Sequence, residues 1–264
     1  MMQLLKRAAA ALLTLALLAA GALLPTAFAL WQDNRQLGRI ETAEVEPIAV
    51  GQADTSLIGR LRLCSQNQLY CEIEGMEVGT GMRFQETTVE EQARAQIDRL
   101  HELGILSVSA AEYTVLKFDG VSFLADPGDP SNNGMFWRLI FGGENGSLDL
   151  LLDDETGLIV SFEVWSGAGA PAGAGLDACG AAWADYLGLT PVPDEDGKKL
   201  VLHAAQSDAE AFGVAVDEET YSVKMDKIRW QYGGVTLRNA DDPEGAQIRF
   251  LLRASEDTFY LVVA

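Results

Sequence analysis

Residues 88–104 read Thr88-Val89-Glu90-Glu91-Gln92-Ala93-Arg94-Ala95-Gln96-Ile97-Asp98-Arg99-Leu100-His101-Glu102-Leu103-Gly104. Val89, Ala93, Ile97, Leu100 and Leu103 recur every three or four positions, which puts them on one stripe of an α-helix. Thr88 stands three residues before Glu91, the capping-box spacing that satisfies free backbone N–H groups at a helix start. Gly104 is placed to end the helix in a left-handed conformation. A helix with a single apolar stripe needs a surface to bury it on.

The residues that follow supply that surface. Val115–Leu124, Met135–Phe141, Ser147–Leu152 and Ile159–Trp165 are short runs rich in β-branched and aromatic residues. Val160, Phe162 and Val164 alternate with Ser161 and Glu163, the pattern of a sheet with one wet face. Turn chemistry separates the runs at Asp126-Pro127-Gly128, 142–146 and Asp153-Asp154-Glu155-Thr156-Gly157. Ahead of the helix, Leu57–Phe84 holds strand-like stretches, Leu61-Arg62-Leu63 and Leu69-Tyr70-Cys71-Glu72-Ile73. Residues 166–175, Ser-Gly-Ala-Gly-Ala-Pro-Ala-Gly-Ala-Gly, have nothing to bury and read as a linker.

A second helix is expected at Leu176–Leu187, with Cys179, Trp183 and Leu187 on its stripe. Strands are expected around Leu200–Ala204, Phe212–Val216, Tyr221–Tyr232, Ala246–Arg253 and Thr258–Val263. Within Tyr221–Tyr232 the apolar set moves from odd to even positions, so a bulge or turn is expected at Asp226-Lys227. The halves resemble each other: Leu103-Gly104-Ile105 matches Leu187-Gly188-Leu189, and Asp153-Asp154-Glu155-Thr156 matches Asp217-Glu218-Glu219-Thr220. The offsets are 84 and 64 residues, so no ungapped duplication holds both. The chain therefore reads as α+β, two small units (57–165 and 176–264) of a helix packed on an antiparallel β-sheet.

A helix followed by strands, with Asp153-x-x-Thr156-Gly157 before the last of them, makes residues 87–165 resemble a PepSY-type domain. The resemblance implies a small extracytoplasmic module that regulates or inhibits peptidases at the cell envelope without being catalytic. It carries over no residue roles, and the second unit departs from it with Tyr221 in the place of the glycine.

The N-terminus points the same way. Lys6 and Arg7 precede an apolar run from Ala8 to Leu24 in which Thr14 is the one polar side chain. A positive flank beside such a run stays inside while the rest translocates. Ala27-Phe28-Ala29 after Pro25 has the small residues a signal peptidase needs, which gives a product secreted after cleavage behind Ala29. The alternative is an uncleaved transmembrane anchor through residues 8–31. These 24 residues suffice for a bilayer of about 30 Å, whereas an h-region runs to about 7–15 residues. Both readings make 1–31 a signal peptide or signal-anchor helix, 32–56 a stalk, and the rest extracytoplasmic. No cysteine follows the run, which argues against a lipoprotein.

Without Lys6 and Arg7, 17 of the 19 basic residues face 39 acidic ones, a net charge of −22 after the leader. Such a surface repels phosphate backbones, so nucleic acid is not an expected partner. Three cysteines, Cys64, Cys71 and Cys179, are too odd a count for a disulfide framework, although Cys64 and Cys71 flank a polar loop they could close.

Catalytic and metal signatures are incomplete. His101-Glu102 begins like a zinc-protease helix, but Ile105 occupies the place of the second histidine. His203 reads as a strand histidine, facing out or satisfied internally, rather than as a ligand. Asp129-x-Ser131-x-Asn133-Gly134 starts like a calcium loop, but Ile140 stands where the bidentate acid belongs. Asp194-Glu195-Asp196-Gly197 is an acidic turn. No nucleophile elbow, phosphate loop or Cys-x-x-Cys occurs. Trp137, Trp165, Trp183 and Trp230 read as core aromatics, with a ligand groove as the alternative. No catalytic residue, metal ligand or cofactor is therefore assigned. The expected role is non-catalytic: binding or regulating an envelope or extracellular protein of a bacterium. The alternatives are an extracellular hydrolase with acidic site residues and a structural envelope or sporulation module.

Overall fold

In the computed structural model, which describes residues 56–65, 82–126, 129–144, 146–165, 175–225, 228–242 and 245–264, Ser56 Oγ accepts a hydrogen bond from Gly59 N–H at 3.2 Å. Helix α1 (Leu57–Ser65) starts there. Ile58, Leu61 and Cys64 are buried at a helical spacing of three. The expected strand at Leu61-Arg62-Leu63 is thus a turn of helix. Three residues of apolar-polar-apolar text fit either period, and the wider spacing decides. Leu69–Ile73 lies outside the described residues, as do residues 1–55 and 166–174. That removes the leader, nearly all of the stalk and all but Gly175 of the linker from view. No helix among the described residues is long and apolar enough to cross a membrane.

Helix α2 (Glu86–Glu102) buries Val89, Ala93, Ile97 and Leu100, as the stripe requires. Its cap lies three residues earlier than expected. Gln85 is the N-cap and its backbone N–H donates to Thr88 Oγ1 at 2.9 Å, so Thr88 closes the box from the third position. Gly104 (φ +71°) ends the helix. Strands β1 (Thr114–Asp126), β2 (Asp129–Gly143), β3 (Gly146–Asp153) and β4 (Ile159–Trp165) form an antiparallel meander.

Helix α3 (Leu176–Leu187) has the expected bounds and ends on Gly188 (φ +68°). A short strand β5 (Thr190–Val192) leads to helix α4 (Glu195–Phe212). The expected strands at Leu200–Ala204 and Phe212–Val216 are replaced by this helix and β6 (Val216–Asp217). Val201, Ala205 and Ala209 are its buried stripe, and Asp194 caps it by accepting from Asp196 N–H at 3.0 Å. The acidic first turn, Glu195-Asp196, also favours a helix start by meeting the positive end of its dipole. Strands β7 (Ser222–Met225) and β8 (Ile228–Arg238) pair antiparallel with Met225 opposite Ile228, and Asp226-Lys227 between them lie outside the described residues. β9 (Gln247–Ala254) and β10 (Thr258–Val263) complete the chain.

The two halves do not carry separate sheets. The strand order is β1-β2-β3-β4-β10-β9-β8-β7-β6, with β5 paired to β8, so ten strands form one sheet among the described residues. β4 joins β10 antiparallel, Phe162 opposite Leu261. On one side of that seam lie the four strands β4 to β1, and on the other the five strands β10 to β6. The two helix exits match in detail: Ile105 N–H donates to Leu100 O and Leu189 N–H to Ala184 O, both at 2.9 Å. The acidic turns at 153–156 and 217–220 are both hairpin turns, but they sit between different strands of the sheet.

Two adjacent glycines show which helix lies on which face. A Cβ on Gly233 would meet Leu176 of α3, and one on Gly234 would meet Val201 of α4. Successive strand residues point to opposite faces, so α3 and α4 cover opposite sides of β8. The main core lies on the α2 and α3 side, where Phe162, Trp183 and Phe250 meet edge to face at 5.9 and 5.6 Å. A smaller cluster of Val201, Ala205, Ala209, Val223 and Tyr232 lies under α4.

Candidate functional site on the outer sheet face

Alternation fixes what the sheet shows on its other side. Phe162 and Val164 point into the main core, so Ser161, Glu163 and Trp165 point away from it. The cross-strand register extends this into a row: Ile140, Asp149, Glu163, Tyr260, Arg253 and Tyr232 stand opposite one another from β2 to β8. At the β8 end the row runs under α4, where the Tyr232 hydroxyl donates to Asp208 at 2.6 Å. Further along the same face helix α1 packs against β2, β9 and β10, its Arg60 reaching Asp153 on the same side of β3 as Asp149, while the row from Asp149 to Tyr260 stays half-buried.

The row is held by neighbours of opposite charge. Arg138 grips Asp149 with two nitrogens, Nε at 3.1 Å and an η nitrogen at 2.6 Å, and its other η nitrogen lies 3.8 Å from Asp119. Asp119 in turn pairs with Lys117, which together hold its carboxyl below the usual range. Glu163 differs. Burial, and then the Asp149 charge directly opposite, push its carboxyl upward, while a hydrogen bond from Trp165 and the more distant Arg138 oppose the shift. Tyr260 is raised by burial and then by Glu163.

Aromatic rings flank the charges. The Arg253 guanidinium lies 4.1 Å from the Trp230 ring centroid, with Tyr232 and Tyr260 at 5.7 and 5.6 Å, and pairs with Asp208 at 3.2 Å. Trp165 meets Tyr260 edge to face at 5.2 Å and remains 48% exposed. Large half-exposed aromatics beside ordered charges are what a recognition surface needs: apolar area together with fixed polar groups.

The sequence candidates fall largely outside this face. Trp137 and Trp183 are buried in the main core, as expected, whereas Trp230 packs against the smaller cluster under α4 and Trp165 is exposed on the opposite face from the main core. His101 Nδ1 lies 3.0 Å from Leu106 O at the end of α2, and His203 is exposed on α4 rather than on a strand. Asp129, Ser131, Asn133 and Gly134 lie along strand β2, and an extended chain cannot wrap its side chains around one ion as a calcium loop does. Asp194 is engaged structurally. Arg249 at 2.6 Å, Thr236 at 2.8 Å and the α4 backbone hold its carboxyl well below the usual range. Among the described residues no group of three or more His, Cys, Asp or Glu could hold a metal ion. Cys64 and Cys179 are buried thiols pushed up to about 12, chiefly by burial, which makes them inert. Cys71 lies outside the described residues.

A second polar cluster surrounds the Asp153-x-x-Thr156-Gly157 turn. Asp153 is fully buried and accepts from Arg60 Nε at 2.9 Å, an Arg60 η nitrogen at 3.1 Å and Thr156. Asp154 accepts from Trp137 Nε1 at 2.7 Å and from the backbone N–H groups of Arg83 and Phe84. These bonds tie α1 and the lead-in to α2 to the β3–β4 hairpin. The turn expected from sequence is a structural hub, with its acceptors filled by the chain itself.

The sequence missed the row because alternation reveals a wet face but not which strands are neighbours. Glu163 and Tyr260 are 97 residues apart and meet only through the β4–β10 seam. No family model, curated protein or solved structure matches the chain.

Proposed function

We propose that this is an extracytoplasmic binding or regulatory protein of a bacterial cell envelope, tethered through residues 8–31 or secreted after cleavage, which engages a protein partner through the outer sheet face. The observation that carries this reading is the row from Asp149 to Arg253, bordered by Trp165 at half exposure. Isolated exposed apolar residues are ordinary, but an aromatic set ordered against charges on an outer face is a feature of interfaces. The PepSY-like reading of residues 87–165 points to a peptidase as the kind of protein restrained. A hydrolase reading has Glu163 and Asp149 face to face in its favour. Binding is favoured over it because Asp149 is committed to Arg138.

A photoreactive phenylalanine placed at position 165 of the full-length chain in its own membrane tests the reading. Position 210, exposed on α4, is the reference. A discrete crosslinked band from 165 but not from 210 is the expected result, and equal labelling from both positions overturns it. Mass measurement of the native N-terminus tests the tether, since a chain starting at Leu30 ends the anchor reading.

A further inference from the structure

The chain itself displays how this face holds a cation. Arg253 lies over Trp230 at 4.1 Å, near Tyr232 and Tyr260, with Asp208 supplying the opposite charge at 3.2 Å. Aromatic faces attract a guanidinium through their quadrupole, and a carboxylate completes the site. On the other side of Tyr260 the same groups recur. Glu163 is its cross-strand partner on β4, and Trp165 stands two residues further along the same face with its ring at 85° to Tyr260. Glu163 makes no ion pair among the described residues, whereas Asp149 directly opposite is already paired with Arg138. With a formal net charge of −20, the chain as a whole attracts cationic partners and steers them in.

We infer that the corner formed by Trp165, Tyr260 and Glu163 receives an arginine or lysine side chain from a basic segment of the partner polypeptide. This rests on the reading of the outer face as a binding surface and adds the partner's chemistry to it. A cation there stacks on Trp165, pairs with Glu163, and repeats across Tyr260 the arrangement that Arg253 already has. The upward shift of the Glu163 carboxyl is in accord with a group that lacks a close cation of its own.

Fluorescently labelled tetra-arginine amide, titrated against the full-length chain in detergent, tests the inference, with tetra-glutamine amide and cellohexaose as neutral probes. Trp165→Ala and Glu163→Gln should each weaken tetra-arginine binding about threefold to fivefold, the scale of one exposed cation–π contact or ion pair. Glu218→Gln, in the exposed β6–β7 turn, removes the same charge elsewhere and should leave binding unchanged. Melting temperatures no lower than the parent's in the three variants confirm that the fold is intact. An equal loss in Glu218→Gln overturns the inference, because net charge alone then accounts for binding. Preference for tetra-glutamine or cellohexaose also overturns it, the latter in favour of a glycan. If the peptide fails while crosslinking from position 165 succeeds, the surface stands and the partner is not basic. If both fail, the surface reading fails too.

Discussion

Asp153 and Arg60 show what a buried charge demands. Asp153 is wholly shielded and Arg60 nearly so, and the pair is completed by Thr156, whose N–H and hydroxyl both serve Asp153. Removing one partner strands the other charge away from water, which costs about 3–5 kcal/mol. Asp153→Ala should therefore lower stability by that amount in urea denaturation at neutral pH. The double variant Arg60→Ala/Asp153→Ala should lose less than the two single losses combined. Glu163 has the opposite sign. Its folded carboxyl is raised above the unfolded value of about 4.3, so the native state keeps a proton that the unfolded chain releases. Stability consequently falls as pH rises through that window. Glu163→Gln should melt higher than the parent at pH 7, and the difference should vanish near pH 3.5, where both chains are uncharged at this position. A parent–variant gap that does not change with pH would place the cause outside titration.

At the scale of elements, helix ends are where sequence text and structure agree most closely. The Leu-Gly exits of α2 and α3 are legible because an apolar stripe followed by glycine states both period and stop. Gly104 and Gly157 separate two reasons for glycine. Both have positive φ, +71° and +70°. A Cβ on Gly104 meets nothing within 4 Å, whereas one on Gly157 lies 2.7 Å from Gln92 Nε2 and 2.9 Å from Phe84 Cζ. Gln92 Nε2 also donates to Gly157 O at 2.8 Å, so it cannot move aside without losing that bond. Gly104→Ala should cost about 1 kcal/mol for the left-handed backbone alone, and Gly157→Ala about 2–3 kcal/mol once overpacking is added. Thermal denaturation of the two variants measures the gap, and equal losses would remove the steric argument. Helix α4 replaces the expected strand because Leu200-Val201-Leu202 is a short apolar run, and such runs do not reveal their period. Its cap at Asp194 was in the text, read there only as an acidic turn.

At the scale of the described molecule, the β4–β10 seam merges the halves. Phe162 of the first half packs at 5.4 Å on Phe259 and at 5.9 Å on Trp183, both from the second. The described residues fall in a single compact unit, Ile48–Ala264. Neither half can separate without exposing this shared core, so one cooperative transition is expected. Fluorescence of Trp137→Phe and Trp183→Phe variants, each lacking one half's buried indole, should give a single denaturant transition coincident with far-UV circular dichroism. Two resolved transitions would show that the halves are independent.

Period and turn chemistry are local, so the sequence by itself determined the α2 and α3 stripes, the strand at Ile159–Trp165, the break between β7 and β8 and the α+β class. It also showed that Glu163 lies on a wet face, because alternation needs no partner. Only the tertiary structure decided that the two strand sets share one sheet, that α4 takes the opposite face from α3, and that Glu163, Tyr260 and Arg253 stand in line. Those facts depend on which strand edges meet. Strand edges are rows of near-identical backbone N–H and C=O groups, so the choice of partner is made by packing across the whole core and is written in no single stretch of the chain.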